Sequence, residues 1–261
     1  MRALARLVLV GSASALLIAG FAAPAQAVAA EYTALGDSYA SGTGTREYFV
    51  ENCQKSNLAY PALIANSNGY ELDFAACSGA KIPDVRNNQL AGLDANTGLV
   101  TISVGGNDIG WADVVLSCAR PWPWTCWGDI DEATRKIQEE LPGALDSLYS
   151  EIRAAAPNAK VIVAGYPRLF NGVDECNALA RISPEEQVRM NEGADLLAQT
   201  ISGVASNHGF SYADVRDPFV GHAVCDDPEW INGTSNPLSE SYHPNRDGHS
   251  AGYAPAVGAL L

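Results

Sequence analysis

Short apolar runs separated by longer mixed stretches set the rhythm of this chain. Glu31 to Leu35 and Glu71 to Ala75 read as strands, and Leu99 to Val104 is a continuous apolar run bounded by glycines. Such a run fits a strand buried on both faces of a parallel sheet. Lys160 to Pro167 is another buried strand ending in a turn, and Phe210 to Val215 supplies a fifth. Between them, Tyr60 to Asn66 reads as a short helix and Asp129 to Ala155 as a long one that Pro142 breaks or kinks. Ser183-Pro184-Glu185-Glu186 presents an N-cap, a proline at the first helical position and an acidic first turn. The helix it opens extends to Asn207, and Gly248 to Leu261 reads as a closing helix. Strands alternating with helices predict an α/β fold. Its expected form is a three-layer α/β/α sandwich around a central, mostly parallel five-stranded sheet.

The pattern changes before the first strand. Arg2 and Arg6 precede an apolar stretch of small residues from Leu7 to Ala23, and Ala25-Gln26-Ala27 matches a small-x-small cleavage site. This is the layout of a secretory leader. Residues 1–27 are therefore expected to be cleaved, leaving residues 28–261 as a single exported domain. No later run approaches the ~20 apolar residues of a membrane span. Without the leader's two arginines the chain holds 14 basic and 30 acidic residues, a net charge of −16. Such a surface repels nucleic acid and anionic membranes. Nothing in it points beyond a monomer.

All six cysteines (Cys53, Cys77, Cys118, Cys126, Cys176 and Cys225) follow the cleavage site. An even count in an exported chain suggests disulfides throughout. Pairing is not settled by sequence. Sequential pairing, 53–77, 118–126 and 176–225, is expected because each bridge closes a local loop. Neither Cys-x-x-Cys nor His-Glu-x-x-His occurs, so no metal or other cofactor is expected. The acidic segments at Asp129/Asp131 and Asp226-Asp227 lack the spacing of a calcium loop.

Three glycine-containing turns follow predicted strands: Gly36-Asp37-Ser38-Tyr39, Cys77-Ser78-Gly79-Ala80 and Gly105-Gly106-Asn107-Asp108. In open parallel sheets, ligands bind outside the carboxyl ends of the strands. The turns therefore converge on one edge. Ser38 is a candidate nucleophile, but a serine needs a base to take its proton. Of the four histidines, His243 in Ser241-Tyr242-His243-Pro244-Asn245 lies in a polar, proline-stopped loop that suits a base. His208 reads as a helix-end cap, His222 as a loop residue near Cys225, and His249 as part of the closing helix. The N–H groups of Ser38 and Gly79 and the amide of Asn107 are candidate donors to an oxyanion. Gly248-His249-Ser250-Ala251-Gly252 imitates a nucleophile elbow, but no strand precedes it and no histidine follows Ser250.

Ser38, Gly79, Asn107 and His243, in that order, resemble the GDSL lipase/esterase family, also called SGNH hydrolases. Gly-Gly-Asn-Asp and His-Pro-Asn are close to the family's motifs, and Tyr39 replaces the final leucine of its first motif. The six cysteines and the leader look like the secreted actinobacterial branch, which holds lipases, esterases and phospholipases. The resemblance implies a flavodoxin-like SGNH hydrolase fold. It also implies a secreted hydrolase of lipid esters, of lipase or phospholipase A1 type, working through a Ser-His acyl-enzyme. A short-chain or carbohydrate-acetyl esterase is the alternative within the class, and an inactive secreted binding protein the alternative outside it. The family usually places an aspartate three residues before the histidine, where this chain has Glu240. Either Glu240 or the main-chain carbonyl of Ser241 orients the imidazole; the carbonyl, and hence a dyad, is the favoured reading. Trp111 and Pro121-Trp122-Pro123-Trp124 line an acyl-binding cleft, make transient contact with lipid, or simply pack under a loop.

Overall fold

The structure, a computed structural model, describes residues 30–120, 123–172 and 182–261. The expected leader, Pro121-Trp122 and Cys176 lie outside the described residues. Five strands form the sheet: β1 (Glu31–Gly36), β2 (Glu71–Phe74), β3 (Leu99–Ser103), β4 (Lys160–Ala164) and β5 (Ser211–Ala213). Their order is β2-β1-β3-β4-β5, and every pairing is parallel. The chain reverses its winding direction between β1 and β3, so the carboxyl ends of these two strands open a crevice. β3 is buried along its whole length, its apolar run broken only by the small hydroxyl residues Thr101 and Ser103. The edge strand β2 alternates instead between exposed and half-buried positions.

The helices are α1 (Ser38–Ser41), α2 (Tyr60–Asn68), α3 (Ile82–Asn88), α4 (Trp111–Cys118), α5 (Trp127–Glu139), α6 (Leu141–Ala155), α7 (Pro184–Asn207) and α8 (Ala254–Gly258). They form two groups flanking the sheet. The segments α3, α4, α5, α6 and α7 pack together, α4 against α5, while α1, α2 and α8 form the other group. The result is the expected α/β/α sandwich. Pro142 sits in the first turn of α6, where its missing N–H costs nothing, so the long helical stretch divides there into α5 and α6. Ser183 and Glu186 cap each other's backbone N–H groups at the start of α7.

The closing segment departs from expectation. Gly248–Tyr253 is a π-helical turn, and only Ala254–Gly258 continues as α-helix. The wide turn carries His249 and Tyr253 into the interior, where both are fully buried. There Tyr253 stacks on Tyr60 and donates a hydrogen bond to the carbonyl of Gly165 at 2.7 Å. The disulfides Cys53–Cys77 and Cys118–Cys126 follow the sequential pairing. Cys225 is also disulfide-bonded. Among the described residues, no helix is long and apolar enough to cross a membrane.

Candidate active site

The position of Ser38 begins with Gly36. Its φ of +123° and its close approach to the Ser103 backbone leave no room for a Cβ. Gln89 clamps the turn: the Gly36 N–H donates to its Oε1 at 2.7 Å, and its Nε2 donates to the Gly36 carbonyl at 2.9 Å. Asp37 then caps α1, accepting from the Tyr39 N–H at 3.0 Å. Ser38 is thus the first residue of a helix, and its N–H is one that a helix leaves without an internal partner. Its Oγ lies 2.8 Å from Nε2 of His243, across 205 residues of sequence.

The other ring nitrogen of His243, Nδ1, lies 2.8 Å from the carbonyl of Ser241. A carbonyl only accepts, so Nδ1 carries the proton and Nε2 faces the serine hydroxyl with a free lone pair. That is the tautomer a general base requires. Asn232 holds the loop: its N–H donates to the His243 carbonyl at 2.9 Å, and its carbonyl accepts from the Tyr242 N–H at 2.8 Å. Its side-chain amide reaches across to the Gly44 carbonyl at 2.9 Å.

Among the described residues, Glu240 makes no hydrogen bond or ion pair with the imidazole, whose Nδ1 lies against the Ser241 carbonyl instead. Its carboxylate is 3% exposed and turned toward other partners. The Tyr48 hydroxyl donates to Oε1 at 2.7 Å, and Arg46 Nε lies 3.2 Å from Oε2. These contacts agree with the favoured reading, in which the Ser241 carbonyl meets the ring, and they let Glu240 fasten the His243 loop to the 46–48 segment. Glu240→Gln, which keeps an acceptor for Tyr48, is expected to leave kcat within a few-fold of wild type. A loss near 10⁴-fold, the scale for removing an orienting carboxylate, would restore it to the catalytic set.

Burial drives the His243 imidazole down to about 4, while its bond to Ser241 acts in the opposite sense. With His243 as the base, which must be unprotonated, activity is expected above this value and is expected to be lost as pH falls through it. The pH profile of kcat/KM is therefore expected to stay flat well below 6.5, the ordinary histidine value. An acid limb centred at 6.5 or higher would contradict this environment for the ring.

The oxyanion side is built from two loops bound together. Asn107 Nδ2 donates to the Ala80 carbonyl at 3.1 Å, and Asp108 Oδ1 accepts from the Ile82 N–H at 3.0 Å. These bonds place the Asn107 loop against the Gly79 loop. Gly79 adopts φ +80°, a conformation that favours glycine, although open space surrounds the position of its absent Cβ. The turn, rather than crowding by neighbouring protein atoms, calls for glycine here. Its N–H donates no hydrogen bond among the described residues. Tyr166 links the Asn107 loop to the nucleophile: its hydroxyl donates to Asp37 Oδ2 at 2.6 Å and accepts from the Gly106 N–H at 3.2 Å. Burial pushes Asp37 up to about 7, although the bonds from Tyr166 and Tyr39 pull it down.

Ser38, Asn107 and His243 border a cavity of about 640 Å³. Gly79 is not among the residues that line it. The remaining walls are largely apolar: Trp111, Val115 and Leu116 from α4, Ala194 and Leu197 from α7, Leu169 from a loop and Leu238 from a 3₁₀ turn. Leu116 and Leu238 are 58% and 68% exposed, so the rim itself is greasy. Trp111 therefore lines the cleft, whereas Trp124 is exposed and does not. The other histidines are held elsewhere. His208 ends α7 beside Asp146, His222 stacks on Trp230, and buried His249 accepts from the Tyr60 N–H.

Tyr166 and the capping role of Asp37 escaped the sequence reading. Both carried a signal. Tyr166 follows β4 at the sheet edge that holds Ser38 and Asn107, and an aspartate before a short helix is a common cap. Among the described residues, the one grouping within metal-ligand reach is Cys118, Cys126 and Glu186. Its two sulfurs are joined in a disulfide and offer no thiolate. Asp129 accepts from Ser117, Asp131 pairs with Arg189, and Asp226 accepts from the Ala223 N–H.

A model of the GDSL-like lipase/acylhydrolase family matches residues 34–251. Lipase 1 of Streptomyces coelicolor is 40% identical over 262 residues, covering 95% of this chain and 97% of that one. The crystal structure of an extracellular lipase from Streptomyces rimosus is similar with a TM-score of 0.85 at 37% identity, covering 89% of this chain and 100% of the other. That of phospholipase A1 from Streptomyces albidoflavus is similar with a TM-score of 0.85 at 39% identity, covering 90% and 100%. The chain belongs to the GDSL-like lipase/acylhydrolase family and is an ester hydrolase of the GDSL type.

Proposed function

We propose that the protein cleaves carboxylic esters of lipids, as a lipase or phospholipase A1, with Ser38 as nucleophile and His243 as base. The observation that carries this reading is the 2.8 Å contact between Ser38 Oγ and His243 Nε2 at the wall of a mainly apolar cavity. His243 takes the serine proton through Nε2, and Ser38 attacks the ester carbonyl. The oxyanion is received by the N–H groups of Ser38 and Gly79 and by the second N–H of the Asn107 amide, the first being held by Ala80. His243 returns the proton to the leaving alcohol, and water then releases the acid from the acyl-enzyme. The pair is a dyad: the Ser241 carbonyl fills the place of an orienting acid.

The exposed Leu116 and Leu238 at the rim fit transient contact with a lipid surface. Serine, base and cavity all come from one chain, so a monomer can carry the complete site. The leader pattern and the disulfides support export to an extracellular site. The test is a substrate panel on the purified chain lacking residues 1–27: short- and long-chain p-nitrophenyl esters, a triacylglycerol and a phosphatidylcholine. Preferred turnover of the long-chain and lipid substrates supports the proposal, and the two lipids separate lipase from phospholipase. Turnover confined to the short esters replaces it with a short-chain esterase, and no turnover by folded protein replaces it with a binding protein.

A further inference from the structure

The structure assigns a positioning role to Tyr39: its hydroxyl holds the backbone of Tyr242, and through it the imidazole of His243, in the geometry that a general base needs. The role rests on Ser38 and His243 being nucleophile and base.

Tyr39 is buried beside Ser38 in α1, and its hydroxyl donates to the Tyr242 carbonyl at 2.6 Å. That carbonyl belongs to the peptide unit that also contains the His243 nitrogen. Fixing its oxygen fixes the point from which the imidazole projects. Tyr242 needs such support, because it adopts φ +60°, a left-handed conformation that disfavours a bulky side chain. Its N–H is tied to the Asn232 carbonyl, so both of its peptide groups are anchored. The aromatic ring of Tyr39 also lies against the imidazole, with centroids 5.2 Å apart.

The arrangement matters because the acceptor at Nδ1 is itself main chain. With an orienting side chain, a small backbone shift is absorbed by a change of rotamer. Here Ser241 supplies the carbonyl, Tyr242 makes the turn and His243 carries the ring, so one shift displaces acceptor and base together. The helical turn α1 controls both ends of the imidazole. Ser38 meets Nε2, and the adjacent Tyr39 grips the backbone behind the ring. Tyr166 and Tyr253 pack edge-on against the Tyr39 ring, so deletion of the hydroxyl alone leaves that packing in place.

The experiment compares wild type, Tyr39→Phe and His243→Ala on a soluble short-chain p-nitrophenyl ester, with Tm recorded for each. Tyr39→Phe is expected to lower kcat by about 10- to 100-fold, the scale of a misplaced catalytic group. KM should stay within about twofold, as for an interaction made in the transition state. The acid limb of kcat/KM should rise toward the ordinary histidine value as the ring relaxes into solvent. Wild-type kcat and pH profile in Tyr39→Phe, with His243→Ala inactive, would overturn the positioning role alone. Activity retained in His243→Ala would instead overturn the base assignment on which it rests. A fall in Tm without a change in kcat would mark Tyr39 as structural and overturn the proposal. In the unaltered protein the Tyr39 hydroxyl proton should appear by NMR as a slowly exchanging resonance. Its absence would overturn the proposal even if Tyr39→Phe failed to fold.

Discussion

Ser38→Ala, His243→Ala and the double variant are expected to lose the same activity, about 10⁶-fold in kcat. The reason is that, on the proposed mechanism, the two groups act as one device. The serine hydroxyl is a poor nucleophile until Nε2, 2.8 Å away, takes its proton. An imidazole without the serine has no attacking oxygen to activate. Removing the second member therefore removes nothing further, and the residual rate reflects the oxyanion donors and substrate binding. The measurement is steady-state hydrolysis of a p-nitrophenyl ester, with folding checked by circular dichroism. A double variant much slower than either single variant would mean that the residues act separately. Turnover by Ser38→Ala within tenfold of wild type would remove the serine from the mechanism.

Asn107→Ala is expected to lower kcat by about 10²- to 10³-fold with little change in KM. The side chain has two N–H donors. One is used on the Ala80 carbonyl at 3.1 Å, which fixes the direction of the other. Such a pre-aimed donor strengthens when the carbonyl oxygen becomes an oxyanion, so its loss appears in kcat rather than in substrate binding. Asn107→Asp should be slower still, since a carboxylate repels the oxyanion it faces. Equal loss in kcat and rise in KM for Asn107→Ala, with Asp no worse than Ala, would assign the residue to substrate binding instead.

Much of this arrangement was legible because the chemistry sits where simple patterns end. The apolar run of β3 could only be a buried strand, and Asn107 follows it directly. Ser38 and Gly79 follow β1 and β2 in the same manner, so strand order alone gathered them on one edge. The short helices α1, α3 and α4 left weaker traces. At four to eight residues they owe their stability to caps and tertiary packing rather than to propensity. The π-helical turn depends on burying His249 and Tyr253 together, a demand that no local window contains. Glu240 was the instructive position. Its spacing from His243 is right for an orienting acid, yet the direction of its side chain is set by Tyr48, 192 residues earlier. Spacing along the chain bounds what a residue can reach, and partners from elsewhere decide what it does reach.

The 205-residue separation of Ser38 from His243 has a consequence for how the protein is made. A growing chain presents Ser38 first and Asn107 soon after, whereas His243 follows 205 residues behind Ser38. On the proposed mechanism, a chain that has not yet reached His243 is inert toward esters, whatever part of it has already folded. The same holds in reverse when the protein is diluted out of denaturant. Regain of hydrolysis reports that the turn after β1 and the His243 loop have met, and thus serves as a clock for that long-range closure.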